Sequence, residues 1–327
     1  MSLLLWRVSF RIGQTRRIDK SRWSHNIGPM TYQTALERYI APARTRPQFW
    51  RLLAGTLTML LVYLLGLLAL GAVLVWHGGE DGALRMMSEL MSPVTPAGTL
   101  LLLATFAGMA LGPMLAVRLW HRRSVGSLFG PRTVVMRDFL RAGALIGTLL
   151  ALSITVWSQG FDAVPGLPFD TWIGLLPVAL PLILLQTGAE ELVFRGYLLQ
   201  QLAARFRSPW VWLVLPSVIF GALHYDPGSA GDNALFVAAS ATLFGLMAAD
   251  LTRVTGSLGA AWGLHFVNNV VALLFVATDG TITGLALHLT PYTAAEMGAS
   301  PLVMVGDLAT TALVWALMRW WLRRRTT

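Results

Sequence analysis

The stretch WIGLLPVALPLILLQTGAEELVFRGYLLQQL, residues 172–202, is long and apolar enough to cross a bilayer, yet it carries Glu190, Glu191 and Arg195 in its interior. A spanning helix needs about 20 mostly apolar residues. Ionisable groups at that depth are expensive and by default mark function. A membrane helix holding a charged cluster is therefore the first conclusion.

Seven more apolar stretches surround it. They are Phe49–Trp76, Gly98–Trp120, Phe139–Trp157, Trp210–His224, Ala234–Asp250, Ser257–Ala277 and Pro301–Trp320. The whole chain of 327 residues is 55% hydrophobic and only 13% charged, with mean hydropathy +0.61. Soluble domains carry about 25% charged residues. The fold class expected is an all-α polytopic membrane protein with about eight transmembrane helices. Residues 1–48 read as a basic cytoplasmic tail and 49–322 as one membrane domain. The chemistry concentrates in a core at about 172–277.

The loops supply an independent check. With the N-terminus in the cytoplasm, all of the 25 basic residues except Arg85 fall on the cytoplasmic side or near that end of a helix. The opposite loops hold Glu80, Asp81, Glu89, Asp162, Asp170, Asp226, Asp232, Asp279 and Glu296. Gaining or losing one span would invert every later loop, so the positive-inside rule favours eight spans with both termini cytoplasmic. The formal charge of +9 then belongs to topology and anionic lipid, not to nucleic acid. The absence of Cys excludes disulfides, thiolate metal sites and Cys nucleophiles. Leu3-Leu4-Leu5-Trp6 is too short for a signal-peptide core and reads as part of the tail or a surface-lying segment. Met30 is a second candidate start, and Thr281–Met297 reads as an external loop or interfacial helix.

Two further polar groups interrupt apolar helices: Phe220-Gly221-Ala222-Leu223-His224 and His265-Phe266-Val267-Asn268-Asn269. Hairpin arithmetic puts Glu190, His224 and His265 at one level, about 10–20 Å from the cytoplasmic face at 1.5 Å per residue. His265 and Asn269 are four apart and share a helix face. Glu191 and Arg195 are also four apart, acid first, and are assigned to a structural ion pair. Glu190 points about 100° away from Glu191 and is left for chemistry. A carboxylate and a histidine can activate water, while a second histidine and an Asn amide can stabilise an oxyanion. The same Glu190, His224 and His265 could instead hold Zn²⁺ or another divalent ion. The His-Glu-x-x-His zinc-protease motif and a Gly-x-Ser-x-Gly turn are absent.

Glu-Glu-x-x-x-Arg, Phe-x-x-x-His and His-x-x-x-Asn, in this order on successive membrane helices, resemble the CAAX prenyl protease/bacteriocin-immunity (CPBP, Abi) family. That family includes the type II CAAX prenyl endopeptidases. The resemblance spans about Pro177 to Asn269. It implies a hydrolase with Glu190 and His224 as water activators and His265 and Asn269 as oxyanion or metal partners. It also implies a membrane-embedded or lipidated peptide substrate and a place in the bacterial plasma membrane. It leaves open a metalloprotease or a metal-independent glutamate protease. Two other classes stay in view. A non-catalytic immunity or scaffold protein of the same fold would tolerate decay of the set, which is intact. A proton-coupled transporter would show internal repeats, and none is evident.

The remaining signals have plainer readings. Gly259-x-x-x-Gly263 marks close helix packing. His25, His77, His121 and His288 are expected in solvated or interfacial places. Trp76, Trp120, Trp157, Trp172, Trp210, Trp320 and Trp321 cluster at helix ends as an aromatic belt. Pro181 either kinks its helix or is simply tolerated in lipid.

Overall fold

The computed structural model describes residues 32–160, 162–296 and 301–323. The expectations for Leu3-Leu4-Leu5-Trp6, His25 and Met30 lie outside the described residues. Helices dominate: α1 Tyr32–Arg44, α2 Phe49–Met91, α3 Pro96–Leu119, α4 Gly126–Phe129, α5 Arg132–Trp157 and α6 Phe169–Glu191, which continues through a π-helical turn, Leu192–Leu198, into α7 Leu199–Ala203. A second π turn, Trp210–Val214, leads into α8 Leu215–Ala222; α9 Pro227–Ala230, α10 Ala234–Thr255 and α11 Gly259–Val270 follow. α11 runs on as a third π turn, Val271–Phe275, and α12 is Pro301–Arg323. Each of the eight apolar stretches is helical over most of its length.

Among the described residues, five helical runs are long and apolar enough to cross a membrane: Phe49–Met91, Pro96–Leu119, Arg132–Trp157, Phe169–Ala203 and Pro227–Thr255. Trp210–Ala222 and Gly259–Phe275 are apolar but shorter. The fold is that of a multi-pass membrane protein. The outward face of α2 carries exposed Leu61, Leu64, Leu65 and Leu68, a surface suited to lipid rather than water.

Local chemistry sets the ends. Thr95 caps α3, its Oγ1 accepting from the Gly98 N–H at 3.1 Å, and Pro96 opens the helix where its missing N–H costs nothing. α10 ends at Gly256, whose φ of 67° is left-handed and suits glycine. α6 runs unbroken through Pro177 and Pro181, as a buried membrane helix can.

Close crossings position the core. A Cβ on Gly259 would lie 2.3 Å from the Val135 carbonyl, and one on Gly263 would lie 2.4 Å from that of Phe139. The Gly259-x-x-x-Gly263 stripe is thus the seat of α11 on α5, as the spacing suggested. α12 is tied to α10 through Asp250, which accepts from Arg319 at 3.0 Å and from the Trp315 indole at 3.1 Å.

Three features depart from the sequence reading. Residues 32–44 are a helix, not tail, with Ala35, Tyr39, Ile40 and Ala43 buried. The Tyr39 hydroxyl donates to the carbonyls of Leu128 at 2.6 Å and Arg195 at 3.2 Å. Part of Thr281–Met297 is a strand, not an interfacial helix. β1 (Val164–Pro165), β2 (Val276–Asp279) and β3 (His288–Thr293) form a small sheet in the order β1-β3-β2. β3 pairs antiparallel with β1 and parallel with β2, with a register shift between Ala277 and Asp279. Pro291 falls at that irregularity, where a missing donor is tolerated. Trp172 is buried at 8% exposure rather than in the belt, because its indole donates to the Leu274 carbonyl at 2.7 Å.

Candidate functional site

Glu190 and Glu191 close α6, and Arg195 lies in the π turn that follows. All three side chains are buried. Such π segments add a residue to the helix and recur at functional sites. Arg195 Nη1 donates to Glu191 Oε1 at 3.0 Å, which is the ion pair the i, i+4 spacing suggested. Arg195 Nη2 donates to the Gly245 carbonyl at 3.3 Å. The guanidinium lies over the Phe220 ring, 4.8 Å from its centroid, a favourable cation–π arrangement.

His265 comes from α11 and meets both glutamates. Its Nδ1 lies 2.9 Å from Glu191 Oε1 and its Nε2 lies 3.3 Å from Glu190 Oε2. The 100° between successive helical residues therefore does not separate the two carboxylates. The imidazole spans them, and its two nitrogens sit on different edges of the ring. Among the described residues, Glu190 Oε2 and Glu191 Oε2 are buried without a hydrogen-bond partner. Buried orphans of this kind are uncommon in native structures.

The network fixes the tautomer by inference. With its proton on Nδ1, His265 donates to Glu191, and Nε2 presents a lone pair toward Glu190 Oε2. Two acceptors then face each other at 3.3 Å, an arrangement relieved by a proton donor between them or by a second ring proton. Two carboxylates face one guanidinium and one imidazole, so the set is electrically neutral when the imidazole carries both protons.

Aromatic rings wall the cluster. Phe244 stands 5.0 Å from the His265 ring. Phe220 lies between the two histidines, with centroids 6.1 Å from His265 and 4.6 Å from His224. α8 reaches this position because Gly221 lets α10 approach; a Cβ there would meet Thr242 Oγ1 at 1.9 Å. His224 sits just past the end of α8 and is exposed. Its Nδ1 bonds the Phe220 carbonyl at 2.8 Å, which leaves Nε2 available.

Asn269 lies one turn beyond His265, and its amide donates to Gln186 Oε1 at 2.8 Å. Gln186 is four residues before Glu190 and buried. The sequence reading passed over it, although a Gln in an apolar helix on the Glu190 face was a legible signal. The Trp262 indole also reaches α6, donating to Thr187 Oγ1 at 3.2 Å.

Glu190, Glu191, Arg195 and His265 are thus in direct contact. Asn269 is on the same seam through Gln186, and His224 is one phenyl ring away. As a metal centre the arrangement is incomplete: among the described residues, no three His, Asp or Glu side chains converge as a ligand set. Glu190 and His265 make a two-donor pair, and His224 does not join them.

The comparisons with known proteins bear on this segment. Residues 172–271 match the family model of Rce1-like type II CAAX prenyl endopeptidases. All three motifs lie within the match, which bears out the family resemblance. The chain is 26% identical over 262 residues to the uncharacterized protein YyaK of Bacillus subtilis (strain 168), covering 76% of this chain and 85% of that protein. No solved structure matches.

Proposed function

We propose that this protein is an intramembrane endopeptidase in which Glu190 and His265 activate a water. The observation that carries this reading is the pairing of Glu190 Oε2 with His265 Nε2 at 3.3 Å, while Glu191 holds the opposite ring nitrogen at 2.9 Å. The match of residues 172–271 to a peptidase family supports it.

Glu190 takes a proton from the water as its oxygen attacks the scissile carbonyl carbon. The tetrahedral oxyanion is stabilised at the same level by the Asn269 amide turned from Gln186, and by His224 Nε2 only when that ring carries its second proton, because Nδ1–H already donates to the Phe220 carbonyl. The C–N bond then breaks, and the proton passes from Glu190 to the departing amine. One peptide and one water give one acid and one amine. Glu191 and Arg195 position the imidazole and do not touch the reacting atoms. The His265–Glu190–His224 set remains compatible with a metal only if His224 moves toward the pair, so no step here passes through one.

The charge pattern supports both termini and the loop containing Arg122 on the cytoplasmic side, and the family resemblance supports a bacterial plasma membrane. Substrate then enters from the cytoplasmic side as a membrane-embedded or lipidated peptide. The chain contains no Cys, so a single Arg122→Cys replacement gives a clean accessibility probe. Labelling from outside the cell would overturn this orientation.

The function is tested with purified protein and a peptide library, with and without chelator, beside Glu190→Ala. Cleavage by the wild type and none by the variant supports the peptidase. Chelator sensitivity assigns the metal-dependent form. Equal cleavage by both proteins removes Glu190 from the mechanism. Binding without cleavage by either is the outcome for the scaffold reading.

A further inference from the structure

A second polar cluster lies beyond Arg195, where α2 begins, α3 ends and α7 follows the π turn. The charges of Arg123 and Arg205 bear on the Tyr197 hydroxyl, and those of Arg123, Arg205 and Arg51 on the His121 ring beside it; among the described residues none of the three is hydrogen-bonded to a carboxylate. Arg123 Nη1 donates to Gln200 Oε1. Arg205 donates to the Gln201 carbonyl and Oε1 and to the Gln48 carbonyl. Arg51 donates to Gln48 Oε1 and the Trp120 carbonyl. All of these acceptors are neutral.

Donors remain unused. Among the described residues, Arg123 Nε, Arg123 Nη2, Arg205 Nε and Gln201 Nε2 are buried with no hydrogen-bond partner. Gln200 and Gln201 are fully buried. Arg123 and Arg205 are both held below the usual arginine range, Arg123 at about 10, first by burial and then, for Arg123, by Arg205. A buried cation without a counter-ion is costly, and unsatisfied guanidinium edges are the donors that suit phosphate oxygens.

Depth identifies the kind of anion. Trp50 and Trp120 pack edge to face at 6.0 Å beside this cluster, and Arg51 lies over Trp50 at 4.5 Å. Tryptophans at helix ends mark the headgroup level, where basic pockets between helices bind anionic lipid.

We propose that Arg123, Arg205 and Gln201, with Arg51 behind them, form a phosphate-binding site at the membrane edge that takes an anionic lipid headgroup. The site is separate from the Glu190–His265 pair and does not depend on it. The π turn, which carries Arg195 and Tyr197 on one segment, and Tyr39, whose hydroxyl donates to the Arg195 carbonyl, lie between the two.

The test is thermal unfolding of the delipidated full chain in a neutral detergent. The probes are potassium phosphate against potassium chloride at matched ionic strength, and short-chain phosphatidylglycerol against phosphatidylcholine. The site predicts that phosphatidylglycerol raises the wild-type midpoint by several degrees more than phosphatidylcholine. A similar rise with phosphate shows that the anion alone suffices, and a rise with phosphatidylglycerol alone shows that the site requires the lipid. Arg205→Gln should melt higher than wild type without anion, because it relieves uncompensated charge, and should lose most of the anion response. Wild-type midpoints unmoved by either probe overturn the proposal whatever the variant does. So does an Arg205→Gln and Arg123→Gln double variant that responds as fully as wild type.

Discussion

Arg195 and Arg123 are arginines of one helical bundle, and their surroundings differ in kind. Arg195 has a carboxylate at 3.0 Å, a backbone carbonyl and an aromatic face. Arg123 has a glutamine oxygen and the charge of Arg205 in its neighbourhood. In the first region the guanidinium is closed by a carboxylate within the protein, and two carboxylate oxygens stay unpaired among the described residues. In the second, no carboxylate among the described residues closes the charge, and the proposed anion would supply the balance from outside. Low dielectric strengthens both situations: it makes the closed set a preorganised site and the open set an anion trap.

The largest effect expected from breaking this contrast is in the closed region. Glu191→Gln strands Arg195 and releases His265, and losing one partner of a buried pair costs about 3–5 kcal/mol, a large part of a typical net stability. Detergent-solubilised yield and melting should both fall sharply. A variant that melts like wild type would mean that the ion pair contributes little to the fold.

Asn269→Ala sharpens the functional side of the same region. It removes one oxyanion donor among several and should slow cleavage by about 10²–10³-fold with yield close to wild type, since Asn269 is held by Gln186 and by its neighbour Asn268 alone among the described residues. A Gln186→Ala variant should cost less, because Gln186 positions the amide and does not reach the carbonyl. Reversed sizes would give Gln186 the direct role.

The smallest effect belongs to the open region. His121 is buried beside Tyr197, with Nε2 3.0 Å from its hydroxyl, and not solvated as its position between helices suggested. Burial, then Arg123, Arg205 and Arg51, push its pKa down from 6.5 to about 4, against a smaller opposing contribution from the Arg46 backbone. The folded form therefore resists a proton that the unfolded chain accepts. Stability falls as pH drops from 6.5 toward about 4 and is flat in this contribution below that. Melting at pH values above and within this window should show a steeper loss for wild type than for His121→Gln. Equal losses would mean that His121 carries no such linkage.

Much of the architecture was legible because a bilayer leaves few choices. Apolar length gave the long membrane helices but not α1, and the Gly259 and Gly263 spacing marked a close helix crossing. The site was legible as a set of residues and less so as a network. Depth along a helix follows from hairpin length, whereas rotation about its axis depends on side-chain packing. For that reason the contact of His265 with both glutamates and that of Asn269 with Gln186 were not read. The three π turns have no residue signature, and each shifts the helical face that follows it. Pro291 and the short apolar run around it suited a loop as well as a strand, and only pairing with β1 and β2 decides between them. The buried arginines looked like topology signals, because a sequence shows charge but not the absence of a counter-ion.

The central claim is that the two adjacent glutamates divide the labour, Glu190 for chemistry and Glu191 for structure. Cleavage rate and folded yield of purified Glu190→Gln, measured beside Glu191→Gln, test it most directly. Glu190→Gln should be recovered at wild-type yield with no detectable turnover. A Glu190→Gln protein that cleaves at the wild-type rate, beside a Glu191→Gln protein that is well folded and inactive, would contradict it.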